Sequence, residues 1–281
     1  MPGGPAAPLP DIPTLMHEVE LHQRTAEAVE KDYLYHQSTR TEEVDGHGAV
    51  KKTIAREFDV FWTEGVNVRR LVSKDGKALS LDEQKKESER IDKEVAASRK
   101  RREQADARDK ETDSHGNEEI TVSRMLELGD FTNPRRILLH DRDTIAVDFT
   151  GNPKAKTHNA GESAIHDMAG TVWIDEEDRS IARIEGRFLN NFKIGGGLLV
   201  NVRKDTSFAV QNKKVNGEVW LPETLEAQGQ ARILLFMSFD GRVHVQDGDY
   251  RKFKATSTLL PAVTAVPAEP ETKPEGGQPR P

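Results

Sequence analysis

The 281-residue sequence contains no cysteine. That excludes disulfides, thiol catalysis, cysteine-based zinc sites and lipid attachment through a cysteine, and it leaves the compartment open. Nowhere does the chain carry the 18 or so consecutive apolar residues of a membrane-spanning helix. Its first thirteen residues, MPGGPAAPLPDIP, offer neither a basic n-region nor an apolar h-region, so no export signal is read there. A basic surplus is missing too. The formal net charge of -7 opposes a general nucleic-acid-binding role, since phosphate binding relies on a basic footprint. The nine histidines include no H-x-x-x-H or H-E-x-x-H pair, and no G-x-S-x-G nucleophile elbow occurs.

What the chain does have is alternation. From Leu225 to Phe239 every odd position is apolar or glycine: Leu225, Ala227, Gly229, Ala231, Ile233, Leu235, Met237 and Phe239. This predicts one strand of roughly 50 Å with a dry face, and therefore a large, bent sheet whose dry face something must cover. Ala227, Gly229 and Ala231 cannot fill the space above them, so that space is either taken by other elements or a cavity.

The rest of the chain agrees with a single domain. Residues 1–13 and 261–281 are proline-rich without apolar period and read as disordered tails, leaving 14–260 as the domain. Thr14 is the expected cap of a first helix ending before Asp32. Strands follow at 33–43, 50–62 and 66–72, with a turn at Asp45-Gly46-His47-Gly48. Ser80 and Glu83 form a capping box opening a charged helix within 80–110, and 118–128 reads as a second short helix. After Pro134 the sequence reads as a meander: 136–140, 144–149, 170–175, 180–189, 200–213, 218–222, 224–239, 242–246 and 250–255, with Asp240-Gly241 as a turn and 152–162 as an irregular loop. The expected fold is mainly β with α: a large curved antiparallel sheet of about nine to twelve strands, with three main helices placed mostly before residue 130.

The first helix followed by Asp32-Tyr33-Leu34-Tyr35, the hairpin over 58–70, Gly170-Thr-Val-Trp-Ile-Asp175 with Ile181-Ala-Arg-Ile184, and Val215-Asn-Gly-Glu-Val-Trp-Leu-Pro222 together resemble the periplasmic lipoprotein-carrier family, the LolA/LolB-like lipoprotein-sorting proteins. The resemblance implies an open half-barrel whose apolar face, lidded by helices, holds acyl chains in the cell envelope. It also implies lipid or a lipoprotein acyl chain as partner, envelope proteins besides, and no cofactor. The length of the charged helix and the absence of any matching basic ligand residue depart from that family.

Sharper chemistry competes poorly with plainer readings. His140-Asp141-Arg142-Asp143 could offer carboxylates and an imidazole to a divalent metal, but it sits between apolar strands where polar residues are ordinary turn chemistry. Ser163, His166 and Asp167 lack the elbow a hydrolase needs. Gly195-Gly196-Gly197 reads equally as a flexible connection or as an apolar lip at a cavity mouth. Arg99-Lys100-Arg101-Arg102 reads as a solvated helix face, with contact to an anionic membrane surface as the lesser alternative.

The leading expectation is a non-enzymatic carrier with an apolar cavity lined by Phe58, Val60, Trp62, Val172, Ile174, Ile184, Phe188, Ala231, Ile233, Leu235 and Met237, each of which could instead be ordinary core. Trp173 and Trp220 fall on the opposite phase. The rival is an envelope scaffold of the same fold, its interior filled and its charged helix acting as the docking element.

Overall fold

The structure, a computed structural model, describes residues 8–107, 112–117, 120–194, 200–233 and 237–253. The chain begins with helix α1 (Ile12–Glu30) and continues through strands β1 (Tyr33–Val44), β2 (Val50–Thr63), β3 (Val66–Lys74) and β4 (Lys77–Ala78). Helices α2 (Leu81–Asp106) and α3 (Val122–Leu128) come next, then β5 (Gly129–Leu139), β6 (Arg142–Gly151) and helix α4 (Ala160–His166). The remainder is β7 (Met168–Asp175), β8 (Ile181–Phe188), β9 (Phe192–Ile194), β10 (Val200–Val202), β11 (Ser207–Val215), β12 (Val219–Ile233) and β13 (Met237–Lys252).

All strands join one antiparallel sheet ordered β4-β3-β2-β1-β13-β12-β11-β8-β7-β6-β5, with β10 added to β12 and β9 to β10. Among the described residues β4 and β5 pair on one side only, so the sheet is an open half-barrel rather than a closed one. The mainly-β expectation holds, with thirteen strands among the described residues against the expected nine to twelve, and a fourth helix beyond residue 130.

The long alternation does not form one strand. The chain reverses between Ile233 and Met237, which stand directly opposite each other in the β12–β13 hairpin. Every pair in that register joins two odd or two even residues, for example Ala231 with Phe239 and Ala227 with Val243. Residues directly opposite share a face, so the odd phase stays on one face through the reversal and the sequence pattern cannot reveal the turn. The expected turn at Asp240-Gly241 lies inside β13. Gly241 pairs with Gly229, and their φ angles of 147° and 129° are open to glycine alone, which marks a bend in mid-hairpin.

Other boundaries shift for local reasons. Asp11, not Thr14, caps α1, its Oδ1 accepting from the Thr14 amide at 3.0 Å. The expected strand over 200–213 is two, β10 and β11, separated by Arg203-Lys204-Asp205-Thr206, while 218–222 and 224–239 are in part merged in β12. The polar loop at 152–162 ends in α4, capped by Asn159 whose Oδ1 accepts from the Glu162 amide at 2.9 Å. Of the Pro-rich ends, 1–7 and 261–281 lie outside the described residues, as do Gly195-Gly196-Gly197 and residues 118–119. Residues 8–11 are tied in: the Arg136 guanidinium donates to the Pro8 carbonyl at 3.5 Å.

Helix α1 lies across one face. Its Leu15, Met16 and Val19 pack with Ile145, Val147 and Ile174 in one buried cluster, and farther along Ala26 and Val29 meet Tyr33, Val215, Val219 and Leu221 in another. Helix α2 packs Ile91 and Val95 on Val66 and Val68 of β3. It also serves the free edge of that strand: the Glu87 carboxylate accepts from the Leu71 amide at 2.9 Å, and Arg102 donates to the Glu64 and Gly65 carbonyls at 2.9 and 3.1 Å.

Candidate functional site

The face that α1 crosses is built of cross-strand rows. One runs Val147, Val172, Ile184, Val210, Leu225, Val245 from β6 to β13. The next runs Phe131, Phe149, Gly170, Gly186, Phe208 across β5, β6, β7, β8 and β11. The two paired glycines thin the floor between phenylalanine walls. A Cβ on Gly170 would stand 2.0 Å from the Glu185 carbonyl oxygen, and one on Gly186 would stand 2.6 Å from the Phe208 ring. Only glycine lets the strands fold this closely while the Phe208 ring lies over them.

Above this floor lies a cavity of about 340 Å³. Its roof is Met16 and Val19 of α1, Val122 and Met125 of α3 with Ile120 ahead of it, and Ile165 of α4. Its floor is Phe131, Phe149, Met168, Val172, Ile181, Ile184 and Phe208. Polar groups enter as Glu20, Gln23 and Arg24 on α1 with Thr121; Thr171 and Glu185 also border the cavity, but their side chains bond Asp148 and Arg183 on the opposite face. The two short roof helices are clamped together by a bidentate ion pair, Arg124 to Glu162, at 3.0 and 2.9 Å. Glu162 is buried, and the Arg124 guanidinium holds its carboxyl down at about 2, far below the ordinary carboxylate range.

A larger trough of about 840 Å³ crosses the opposite face, and its chemistry differs. Several of its charges are already paired: Arg40 with Glu42 at 3.0 Å, Arg183 with Glu185 at 2.6 Å, and Asp148 with the adjoining Arg135 at 2.9 Å. Volume alone does not make it the better site, because burying a ligand there would have to break pairs already formed.

Of the residues expected to line a cavity, Val172 and Ile184 do so. Ile174 is fully buried in the packed cluster under α1. Val60 is 1% exposed, part of the core on β2. Phe58 lies under the Arg69 guanidinium at 4.2 Å and Trp62 under the Lys31 ammonium at 5.3 Å. Phe188 stacks on Phe192 at 6.1 Å. Ala231 stands between Val202 and Phe239 in register, and Ile233 pairs with Met237; the side chains of Ile233 and Met237 are not among those described. Leu235 lies outside the described residues.

The reading missed Met16 and Val19, Phe131, Phe149, Met168 and Phe208. The spacing of Met16 and Val19 on α1 is a signal of a shared face, whereas Phe131 was hidden because β5 starts seven residues before the expected strand at Arg136. The two tryptophans face the other side, as their phase implied: Arg183 lies over Trp173 at 5.8 Å, and the Trp220 indole donates to Asp178 at 2.9 Å. The Ser163 hydroxyl meets Thr157 and the Asn159 carbonyl, at 3.0 and 2.9 Å.

No family model and no curated protein matches the chain. Solved structures do match over most of its length. A putative outer-membrane lipoprotein-sorting protein domain from Vibrio parahaemolyticus aligns at 8% identity over 83% of this chain and 91% of that one, TM-score 0.37. A LolA superfamily protein from Nitrosomonas europaea aligns at 8% identity over 88% and 94%, TM-score 0.35. A DUF1329 family protein from Desulfovibrio piger aligns at 7% identity over 86% and 92%, TM-score 0.36. At this identity and score the likeness is one of general sheet-and-helix plan and carries no chemistry.

Proposed function

We propose that this protein is a non-enzymatic carrier of the cell envelope that holds lipid, or the acyl chain of a lipoprotein, between α1 and the sheet. The observation that carries the reading is the cavity of about 340 Å³ walled by apolar side chains, within the size range of small-molecule sites. An apolar void of this size forfeits dispersion contacts unless an apolar guest restores them. The working unit on this reading is one domain over residues 14–260, and Val172 and Ile184 are its ligand contacts on the sheet. No helix among the described residues is long and apolar enough to cross a membrane.

The scaffold alternative keeps the same fold and needs the cavity filled by side-chain movement. Displacement of a fluorescent fatty acid separates the two. Saturable binding to the purified protein, abolished by Ile184→Trp in a variant that still melts cooperatively, supports the carrier; absence of binding in the parent leaves the scaffold.

A further inference from the structure

The trough on the face away from α1 is walled by two cross-strand rows whose charges are used differently. The first row carries the acids Asp148, Glu185 and Glu226 on β6, β8 and β12, and each already has donors. Asp148 accepts from Thr171 and Asn133 at 2.8 and 2.9 Å besides its ion pair with Arg135. The Arg183 guanidinium donates twice to Glu185, at 2.8 and 2.6 Å, and Glu226 lies 3.5 Å from the His244 imidazole. The second row runs Thr150, Ala169, Arg187, Ser207, Gln228, Arg242 from β6 to β13. Its donors are unspent. No hydrogen bond or ion pair among the described residues engages the side chains of Thr150, Arg187, Ser207 or Gln228, and Arg242 shares Glu42 with Arg40.

The strand register explains why Arg187 stands alone. Its cross-strand neighbours are Ala169 and Ser207, which carry no charge, and Glu185, two residues back on the same face of β8, is held by Arg183. Arg187, Ser207, Gln228 and Arg242 lie on four neighbouring strands, so donors are presented over three spacings of about 4.8 Å, roughly 14 Å. A ligand bearing oxyanions supplies the acceptors they lack. Arg187 and Arg242 are exposed, so a lone ion there keeps most of its water and gains little, whereas an elongated ligand gains from each donor it reaches. The acids of the first row stand two residues along each strand and repel a uniformly anionic polymer, as does the overall charge of -7. A polypeptide spaces its carboxylates and places backbone carbonyls between them, which suits Ser207 and Gln228.

We propose, independently of the carrier reading, that this row docks an extended acidic segment of a partner polypeptide. Its carboxylates meet Arg187 and Arg242, and its backbone carbonyls accept from Ser207 and Gln228. The segment lies along the second row and leaves the ion pairs of the first intact.

The test uses the full chain and the fluorescence anisotropy of a dye-labelled peptide of alternating Asp and Ser at low ionic strength. Unlabelled competitors are the same peptide, its versions with Asn or Lys in place of Asp, and dextran sulfate. The Asp peptide should bind saturably and more weakly as salt rises, and the Asn and Lys versions should compete about tenfold less well or worse, with dextran sulfate no better than the Asn version. Arg187→Glu should lower affinity about tenfold in a protein that melts like the parent, while Lys100→Glu, an equal change of net charge on α2, should leave it unchanged. Arg187→Gln, which removes the charge without reversing it, should weaken binding in the same direction and carries the comparison if the reversal disturbs folding. Absence of binding by the parent overturns the proposal. Equal losses in the Arg187 and Lys100 variants, or dextran sulfate competing as well as the Asp peptide, show a response to net charge alone and overturn it too.

Discussion

Asp247 is the residue whose environment most contradicts its chemistry. It is 3% exposed on β13, and its Oδ1 accepts from the Gln37 amide at 2.8 Å. Burial pushes its carboxyl up to about 6, outweighing the Gln37 hydrogen bond and the more distant charges of Arg69 and Lys213, which pull it down. Tyr35 and Tyr250, in ring contact at 5.3 Å, are pushed up by burial as well. Because the folded protein holds the Asp247 proton more tightly than the unfolded chain, whose value is near 3.8, this residue's stabilising contribution is complete below about pH 4 and is lost as pH rises through about 6. Asp247→Asn should therefore leave stability at pH 4 nearly unchanged and raise it by roughly 2 to 3 kcal/mol at pH 8. Urea midpoints of parent and variant at the two pH values check this; an equal difference at both would mean that Asp247 is already ionised when folded. None of this is legible in the sequence, where Asp247-Gly248-Asp249 falls between the expected strands 242–246 and 250–255. The pairing shows an irregularity instead, with the register against β1 shifting between Leu34 and His36.

At the scale of elements, α2 shows what sequence can and cannot disclose. Its start was legible because capping is local: Ser80 and Glu83 exchange the two expected hydrogen bonds. Ser80→Ala should cost about 1 kcal/mol, measurable by thermal or urea unfolding. Its role was not legible, since a helix sequence does not say which strand lies at a sheet edge. In the structure Glu87, Arg90 and Arg102 bond to backbone groups of β3 or of the turn before it, groups that would otherwise offer pairing to another chain. Only Ile91, Val95 and Ser98 of this long helix are buried, so its hold is slender. Ile91→Ala should cost about 2 kcal/mol and free part of the β3 edge. Sedimentation over a range of concentrations should then show self-association that the parent lacks; a variant that stays monomeric and equally stable would assign the edge protection to the polar contacts alone.

Among the described residues the interior holds packed clusters and the cavity beneath α1, and neighbouring residues of the same strand system fall on either side of that division. Ile174 sits in the packed cluster with Ile145 and Leu15, all fully buried, whereas Ile184 borders the cavity. The sequence identified both as apolar positions on one phase and could not separate them, because the difference is made by where α1, α3 and α4 come down on the sheet. Truncation separates them. Ile174→Ala leaves a hole inside close packing and should cost about 2 to 5 kcal/mol, while Ile184→Ala enlarges an existing space and should cost about 1 kcal/mol or less. Ligand linkage gives the second axis: palmitate or lysolipid at a hundred times its dissociation constant should add about 2.7 kcal/mol to the parent. That corresponds to a melting-point rise of roughly 5 to 10 °C for a domain of this size. Ile174→Ala should keep this rise, since its site is untouched, and Ile184→Trp should lose it. Equal losses for the two alanine variants, with no ligand-induced rise in the parent, would describe an interior that is filled in solution, and the scaffold would then be the better account of the same fold.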